Sequence, residues 1–204
     1  QGSVAGLRAV VSGRDSLASA PDWQAAAGYT EKMQTMIQET VALLGDASAH
    51  ASYEVSGHEL AAILQRRHAA TAAKKAVTLE VTGGFDHTLD SHRGSLLCLI
   101  ASNLVENALQ ASNAGQTVSV VFRNGGPHAI VTVCDEGPGI PDTIRAHLFE
   151  PGRTGRAGGT GLGLAISQLL ARQIGATLAL ESTGPDGTVF RLTLPLKEPG
   201  AGLP

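Results

Sequence analysis

Four glycines, at positions 158, 159, 161 and 163, stand directly before the apolar segment "AISQLLARQI", which has the composition of a helix. Glycine costs a helix about 1 kcal/mol per position relative to alanine. At a helix N-terminus, however, the first backbone N–H groups have no partner, and glycine lets an anionic group approach them closely. The stretch therefore indicates a phosphate site, with a turn shaped only by steric need as the alternative. The spacing excludes a dinucleotide fingerprint, and the lack of GK[ST] excludes a Walker loop.

A second cluster, "DEGPGI", occupies residues 135–140 at the end of the apolar strand pattern "AIVTVC". The carboxylate of Asp135 at the end of a buried strand could accept a hydrogen bond from an exocyclic amine such as that of adenine. Gly137 and Gly139 would let the base lie flat against the backbone. An Asp-Gly turn without a ligand is the alternative.

Two asparagines lie four residues apart in the strongly apolar helical pattern of residues 93–111. Asn103 and Asn107 therefore share one face of that helix. Carboxamide oxygens are hard, neutral ligands, which suit a magnesium ion whose other positions are filled by phosphates and waters. Helix caps or surface residues are the alternative interpretation of the pair.

The segment "LFEPGRTG", residues 148–155, combines an aromatic side chain with the start of a basic loop. Phe149 could anchor this loop, while Arg153 and Arg156 could meet a phosphate tail. A solvated basic loop without a ligand explains the same residues.

Hydrophobic periodicity divides the chain into two parts that would position these residues. Residues 1–49 are predicted to form a helical hairpin with one apolar stripe per helix, and two copies would close a four-helix bundle, so we expect a homodimer. Residues 50–204 alternate helical patterns with strand patterns, including a hairpin whose turn falls at residues 124–127. The predicted fold class is α+β: a two-layer α/β sandwich, with one mixed sheet and helices on one face.

Composition narrows the class of protein. The chain has 204 residues, a formal net charge of −3 and 43% hydrophobic residues, with no apolar run long enough to span a membrane. We therefore expect neither nucleic-acid binding through charge nor membrane contact within this chain. Cys98 and Cys134 lie in apolar segments without metal-type spacing, which is typical of core thiols in a reducing compartment.

The motifs "NLVENALQAS", "DEGPGI", "LFEP" and "GGTGLGLAIS", followed by "GTVFRLTLP", occur here in the order found in one family. The chain from residue 52 to about residue 196 resembles the ATP-binding domain of sensor histidine kinases. These kinases belong to the GHKL superfamily, which shares its Bergerat fold with gyrase, Hsp90 and MutL. "NALQAS" is most similar to the nitrogen-regulatory group of these kinases.

The resemblance implies ATP and Mg²⁺ as cofactors and assigns roles to residues. Asn107, supported by Asn103, would hold magnesium against the phosphates, and these two asparagines are the implied catalytic residues. Asp135 would bind the adenine amine, residues 141–158 would form a lid over ATP, and Thr188 would lie near the adenine edge. The implied nucleotide-binding set is Asn107, Asp135, Gly137, Gly139, Ile140, Phe149, Arg153, Arg156, Gly159, Thr160, Gly161, Leu162, Gly163, Leu164 and Thr188.

Three positions depart from the family pattern. Gln110 stands where many members carry Lys or Arg, and Gly152 stands where a second aromatic residue is common. In the ATP-hydrolysing relatives an acid four residues before the magnesium asparagine activates water, whereas this chain has Asn103 there. Without a general base, we expect no efficient hydrolysis of ATP.

The phosphoacceptor histidine of such kinases lies on the first hairpin helix. His58, in "SGHEL", follows both hairpin helices and opens a helix of the ATP domain, so we predict an ordinary helix-start residue there. We therefore expect that the chain begins part way along the first hairpin helix, downstream of its acceptor. Truncation of a longer kinase and natural loss of the acceptor are the two explanations, and truncation is favoured.

The function implied by the resemblance is ATP-dependent phosphorylation of a histidine upstream of this chain, followed by transfer to an aspartate on a response-regulator receiver domain. We expect a cytoplasmic location. This expectation includes the case in which the chain is the cytoplasmic part of a longer, membrane-attached sensor. Two alternatives remain open: a serine kinase of a partner protein, and an acceptor-less nucleotide-sensing dimerisation module.

Overall fold

The computed structural model describes residues 54–150 and 161–196. The predicted helical hairpin, and with it the expected four-helix bundle and homodimer, lies outside these residues, as do Arg153, Arg156, Gly159 and Thr160. Within the described ranges, none of the helices has both the length and the apolar character needed to cross a membrane.

A five-stranded mixed sheet and four helices make up most of the described residues. The strands are β1 (Glu54–Ser56), β2 (Thr78–Gly83), β3 (Thr88–Asp90), β4 (Thr117–Asn124), β5 (His128–Asp135), β6 (Thr177–Gly184) and β7 (Gly187–Pro195). The helices are α1 (Gly57–Lys74), α2 (Ser91–Ala111), α3 (Asp142–Arg145) and α4 (Gly163–Gln173). The predicted α+β sandwich is confirmed, with the strand order β2-β4-β5-β7-β6.

Strand β5 is the central strand of the sheet, and its burial pattern shows which face the helices cover. Its alternate residues Ala129, Val131, Val133 and Asp135 are buried. A strand points successive side chains to opposite faces, so these four side chains share the face covered by the helices. Of the sheet pairs only β2 with β4 is parallel; the β4–β5, β5–β7 and β6–β7 pairs are antiparallel.

Helix α2 packs against this face and is buried along most of its length. Its N-terminus is capped by Asp90, whose Oδ1 accepts a hydrogen bond of 2.9 Å from the backbone N–H of Arg93. Asp90 is also the last residue of β3, which pairs with β1 in a separate antiparallel ladder. This small sheet was not predicted from the sequence, because three-residue strands leave too short a pattern to detect.

Helix α1 begins with a capping box formed by Ser56 and Glu59. The Ser56 side chain accepts from the Glu59 backbone N–H, and the Glu59 carboxylate accepts from the Ser56 backbone N–H at 2.8 Å. His58 is the second residue of this helix and is exposed. The structure thus places His58 at a helix start, as predicted.

Candidate nucleotide-binding site

Asp135 ends strand β5 with its side chain on the helix-covered face. The residue is only 5% exposed, and its Oδ1 accepts a hydrogen bond of 2.9 Å from the backbone N–H of Gly137. Thr188 of β7 is directly opposite Asp135 in the ladder and is also buried. A carboxylate has about four acceptor positions, and the bond from Gly137 occupies one of them.

The chain after Asp135 passes close to two neighbouring elements. A Cβ atom at Gly137 would lie 2.9 Å from the carbonyl oxygen of Ala111, at the C-terminus of α2. Gly139 has a φ of +78°, and a Cβ there would lie 2.2 Å from the carbonyl oxygen of Gly184. Both glycines are therefore required by close backbone approach, in addition to the predicted contact with a base.

A hydrogen-bonded pair of threonines joins this loop to the β6–β7 hairpin. The backbone N–H of Ile140 donates to Thr183 Oγ1 at 2.8 Å, and Thr183 Oγ1 lies 3.2 Å from Thr188 Oγ1. The structure thus brings together Asp135, Gly137, Gly139, Ile140 and Thr188. Sequence reasoning missed Thr183, whose only signal was its position just before the "GPDG" turn.

Asn103 of α2 connects this helix to α4. Its Nδ2 donates a hydrogen bond of 2.8 Å to Ser167 Oγ, and both side chains are buried. A Cβ atom at Gly163 would lie 2.6 Å from Asn103 Oδ1, so a side chain at this position would displace the buried Asn103 carboxamide. The steric interpretation of the glycines therefore holds at Gly163, alongside the predicted phosphate contact.

Asn107 lies one turn further along α2 and is half-buried. Residues four apart on a helix share a face, so Asn107 projects from the same side of α2 as Asn103. The two predicted asparagines are thus on the face of α2 that also carries the contact with α4.

The N-terminus of α4 has no side-chain cap, because Leu162 occupies the capping position. Gly161, just before it, has a φ of +63°, a conformation that glycine adopts readily. Leu164 in the first turn is half-buried and packs against the core. The first N–H groups of a helix find no partner inside it, so this start is suited to an anionic group.

The segment between Ile140 and residue 150 contains the short helix α3 and then turns back to the core. Phe149 is half-buried against the core, and the neighbouring Leu148 is more deeply buried. Sequence reasoning singled out only the aromatic residue of this pair.

A cavity of about 280 Å³ lies beside Asp135, at the end of β5 and the β6–β7 turn. Its lining includes Cys134 and Val189, which alternate with the helix-facing residues and so lie on the opposite face of the sheet. Burial, followed by the charge of Asp135, raises the pKa of the Cys134 thiol. Asp135 and Thr188, the residues predicted to meet adenine, also line this cavity, whereas Asn103 and Asn107 are not among its lining residues.

Comparison with known families identifies the fold that carries this site. Residues 93–198 match the family described as histidine kinase-, DNA gyrase B- and HSP90-like ATPases. The chain belongs to this family. The match covers the helix with both asparagines, the strand that ends in Asp135, and the glycine-started helix. Membership of this ATPase family implies that the domain binds ATP.

Individual relatives are named as sensor histidine kinases or sensor proteins. The chain is 37% identical over 108 residues to the sensor histidine kinase RppB of Synechocystis sp., covering 50% of this chain and 24% of that protein. It is 37% identical over 136 residues to the sensor protein CutS of Streptomyces coelicolor, covering 62% of this chain and 32% of that protein. The chain thus matches between a quarter and a third of the length of these relatives.

Solved structures show the same fold. The mycobacterial sensor histidine kinase MprB is 29% identical, with a TM-score of 0.58, over 71% of this chain and 97% of that one. Full-length ShkA, solved in complex with AMPPNP, has a TM-score of 0.62 over 89% of this chain and 38% of that one. Because ShkA is only 20% identical to this chain, the match shows a similar fold and nothing more.

The carboxamide oxygens of Asn103 and Asn107 are of the type that suits a hydrated magnesium ion. Within the residues that the structure describes, Asn103 Oδ1 is buried and has no hydrogen-bond partner. A buried acceptor without a donor is rare in folded proteins, and a hydrated Mg²⁺ supplies donors through its bound waters. Asn107, on the same face, offers a carboxamide oxygen of the hard type that Mg²⁺ binds directly.

Proposed function

We propose that this chain contains the ATP-binding kinase core of a two-component sensor histidine kinase. The core uses Mg²⁺ and ATP to phosphorylate a histidine outside residues 54–196, and the phosphate then passes to an aspartate on a response-regulator receiver domain. The kinase acts as a homodimer through the hairpin predicted for residues 1–49, and its location is cytoplasmic. Its "NALQAS" motif places it nearest to the nitrogen-regulatory group.

The observation that carries this proposal is the convergence of Asp135 and Thr188 with the loop of Gly137 and Gly139. In this arrangement Asp135 accepts a hydrogen bond from the exocyclic amine of adenine. Any side chain at Gly137 or Gly139 would meet backbone atoms, so the two glycines allow the loop to take the close path that borders Asp135. The site therefore selects adenine over guanine, which carries a carbonyl oxygen at the corresponding position.

The phosphates are held by the other half of the site. The uncapped start of α4 offers backbone N–H groups and the positive end of the helix dipole to the triphosphate. Asn107 binds Mg²⁺, which neutralises the phosphate charge when bound. Phosphoryl transfer requires little covalent chemistry from the protein, so positioning and charge stabilisation are the main contributions of these residues.

The same geometry supports transfer to a histidine over hydrolysis. Asn103 occupies the position of the acid that activates water in hydrolysing relatives, and a carboxamide cannot accept a proton from water at neutral pH. Its nitrogen is also already bonded to Ser167. Glu106 is adjacent to Asn107 and is rotated about 100° from it around α2, so it does not replace the missing base.

Two of the described histidines, both on α1, make contacts within the domain. His68 is buried, with Nε2 2.8 Å from Ser102 Oγ. His58 lies over Gly84, where a Cβ atom would be 2.4 Å from the imidazole ring. These contacts hold the imidazole of buried His68, and one side of the exposed His58, against the domain, which supports an acceptor elsewhere.

Incubation of the full-length protein with labelled ATP tests the proposal. We expect label that is lost in acid and stable in base, the behaviour of phosphohistidine, and its transfer to a receiver domain. Acid-stable label would favour a serine kinase, and ATP binding without label would favour a nucleotide-sensing module. Mass spectrometry of the labelled protein locates the acceptor, and a phosphate on His58 would overturn its assignment as a helix-start residue.

A further inference from the structure

Ser167 is a buried polar residue on the core-facing side of α4, and the proposed function gives it no task. Its side chain is 1% exposed and accepts the hydrogen bond from Asn103 Nδ2 at 2.8 Å. The neighbouring positions on this face of the helix are Leu170 and Ala171, which are buried and apolar. The Ser167 hydroxyl is therefore placed to bond the Asn103 carboxamide from an otherwise apolar part of the helix face.

The Asn103 carboxamide has two chemically different ends, and in the structure its nitrogen is the end bonded to Ser167. With the nitrogen held by Ser167, the oxygen lies at the start of α4, 2.6 Å from the position that a Gly163 Cβ would occupy. Asn103 is 5% exposed, and its oxygen has no hydrogen-bond partner among the residues described. A buried acceptor is thus kept open at the place where the phosphate-binding helix begins.

We propose that Ser167 is a positioning residue for the magnesium–nucleotide complex, an inference that rests on the proposed function. Ser167 holds the carboxamide of Asn103 so that its oxygen accepts a hydrogen bond from a water bound to Mg²⁺. Mg²⁺ keeps several of its waters in protein sites, and those waters are strong donors. Without Ser167 the carboxamide loses the bond that anchors it and can leave the orientation that presents its oxygen to the ion.

Ser102 offers a matched control on the same helix. It is 5% exposed, and its hydroxyl makes a buried hydrogen bond of the same length, 2.8 Å, to His68 on α1. Ser102 adjoins Asn103 and is rotated about 100° from it around α2. Ser167→Ala and Ser102→Ala therefore remove equivalent buried bonds, one facing the nucleotide site and one facing away from it.

Calorimetric titration with AMP-PNP, in magnesium and in EDTA, measures the effect on the full chain, with thermal unfolding of each variant as a check of folding. We expect Ser167→Ala to reduce the magnesium-dependent gain in affinity about three- to tenfold, the value of one hydrogen bond. We expect Ser102→Ala to keep the wild-type gain despite a comparable loss of melting temperature. Equal gains in both variants would overturn the inference and leave the nucleotide site intact.

The double variant Asn103→Ala/Ser167→Ala shows whether Ser167 acts through Asn103. We expect Ser167→Ala to have no further effect on the magnesium gain once the carboxamide is absent. A persisting effect would show that Ser167 acts by another route and would overturn the assignment. Wild-type protein that binds no AMP-PNP in either condition would overturn the proposed function, and this inference with it.

Discussion

Asp135 and Gly187, on the adjacent strands β5 and β7, approach so closely that a Cβ atom at position 187 would lie 1.9 Å from the Asp135 carbonyl oxygen. Gly187 also has a φ of +135°. Substitution Gly187→Ala must therefore displace the end of β5 that carries the Asp135 side chain. We expect a loss of about 2–4 kcal/mol in the free energy of unfolding, together with weakened ATP binding.

Gly115→Ala is the control that separates backbone strain from collision. Gly115 also has a positive φ, +85°, but a Cβ there would have no atom within 4 Å. Its cost should be about 1 kcal/mol, with unchanged nucleotide affinity. Urea unfolding and calorimetry measure both quantities, and equal losses in the two variants would contradict the role given to the Asp135–Gly187 contact.

Asp135→Asn should reduce ATP affinity about 30- to 100-fold, because the charged acceptor of the adenine amine is lost. The melting temperature should change little, since asparagine keeps an oxygen for the Gly137 N–H. The preference for ATP over GTP should shrink by the same factor. Glu80→Gln, at an exposed position of the edge strand β2, makes the same change in charge away from the proposed slot and should bind ATP normally. Unaltered affinity in Asp135→Asn would place adenine elsewhere.

Asn107→Ala should abolish the increase in nucleotide affinity that magnesium produces, because the carboxamide ligand is removed. Binding in EDTA should change much less. Asn113→Ala, on the exposed chain just beyond α2, is the matched control and should retain the magnesium effect. If magnesium still strengthens binding in Asn107→Ala, the ion is held by other groups.

His68 should make stability depend on pH. Burial, with a smaller contribution from Arg67, lowers the pKa of this histidine in the folded protein. The unfolded chain therefore takes up a proton below about pH 6.5 while the folded protein does not. Stability should fall as the pH decreases from 6.5 to the folded pKa, by up to about 1.4 kcal/mol per pH unit.

Urea unfolding of the wild type and His68→Gln from pH 7.5 to pH 5 isolates this contribution. The variant starts from a lower stability, since its bond to Ser102 is altered, but its curve should be flatter below pH 6.5. Parallel curves would show that His68 does not titrate differently in the two states.

The main elements, and a carboxylate at the buried end of β5, could be predicted from sequence because each has a local pattern. The helix predicted at residues 93–111 is observed at Ser91–Ala111, and the hairpin turn predicted at residues 124–127 separates β4 from β5. Asp135 could be recognised as a candidate site residue because a carboxylate is unusual at the end of an apolar strand pattern.

Contacts between distant elements could not be predicted in this way. Asn103 and Ser167 are 64 residues apart, and the threonine pair that joins the site to the β6–β7 hairpin depends on strand register. Lys75, whose Nζ donates to the Leu109 carbonyl at the end of α2, reads in sequence as an ordinary surface charge. Each of these depends on packing that brings separate elements together, which no local spacing encodes.

The ladder between β1 and β3 limits where the chain can be shortened without losing folded structure. Ser56 is both the end of β1 and the cap of α1, and β3 ends in the cap of α2. A fragment that starts at Gly57, where the first helix begins, would remove the partner of β3 and uncap α1 at once. The smallest autonomous ATP-binding fragment should therefore start no later than Glu54.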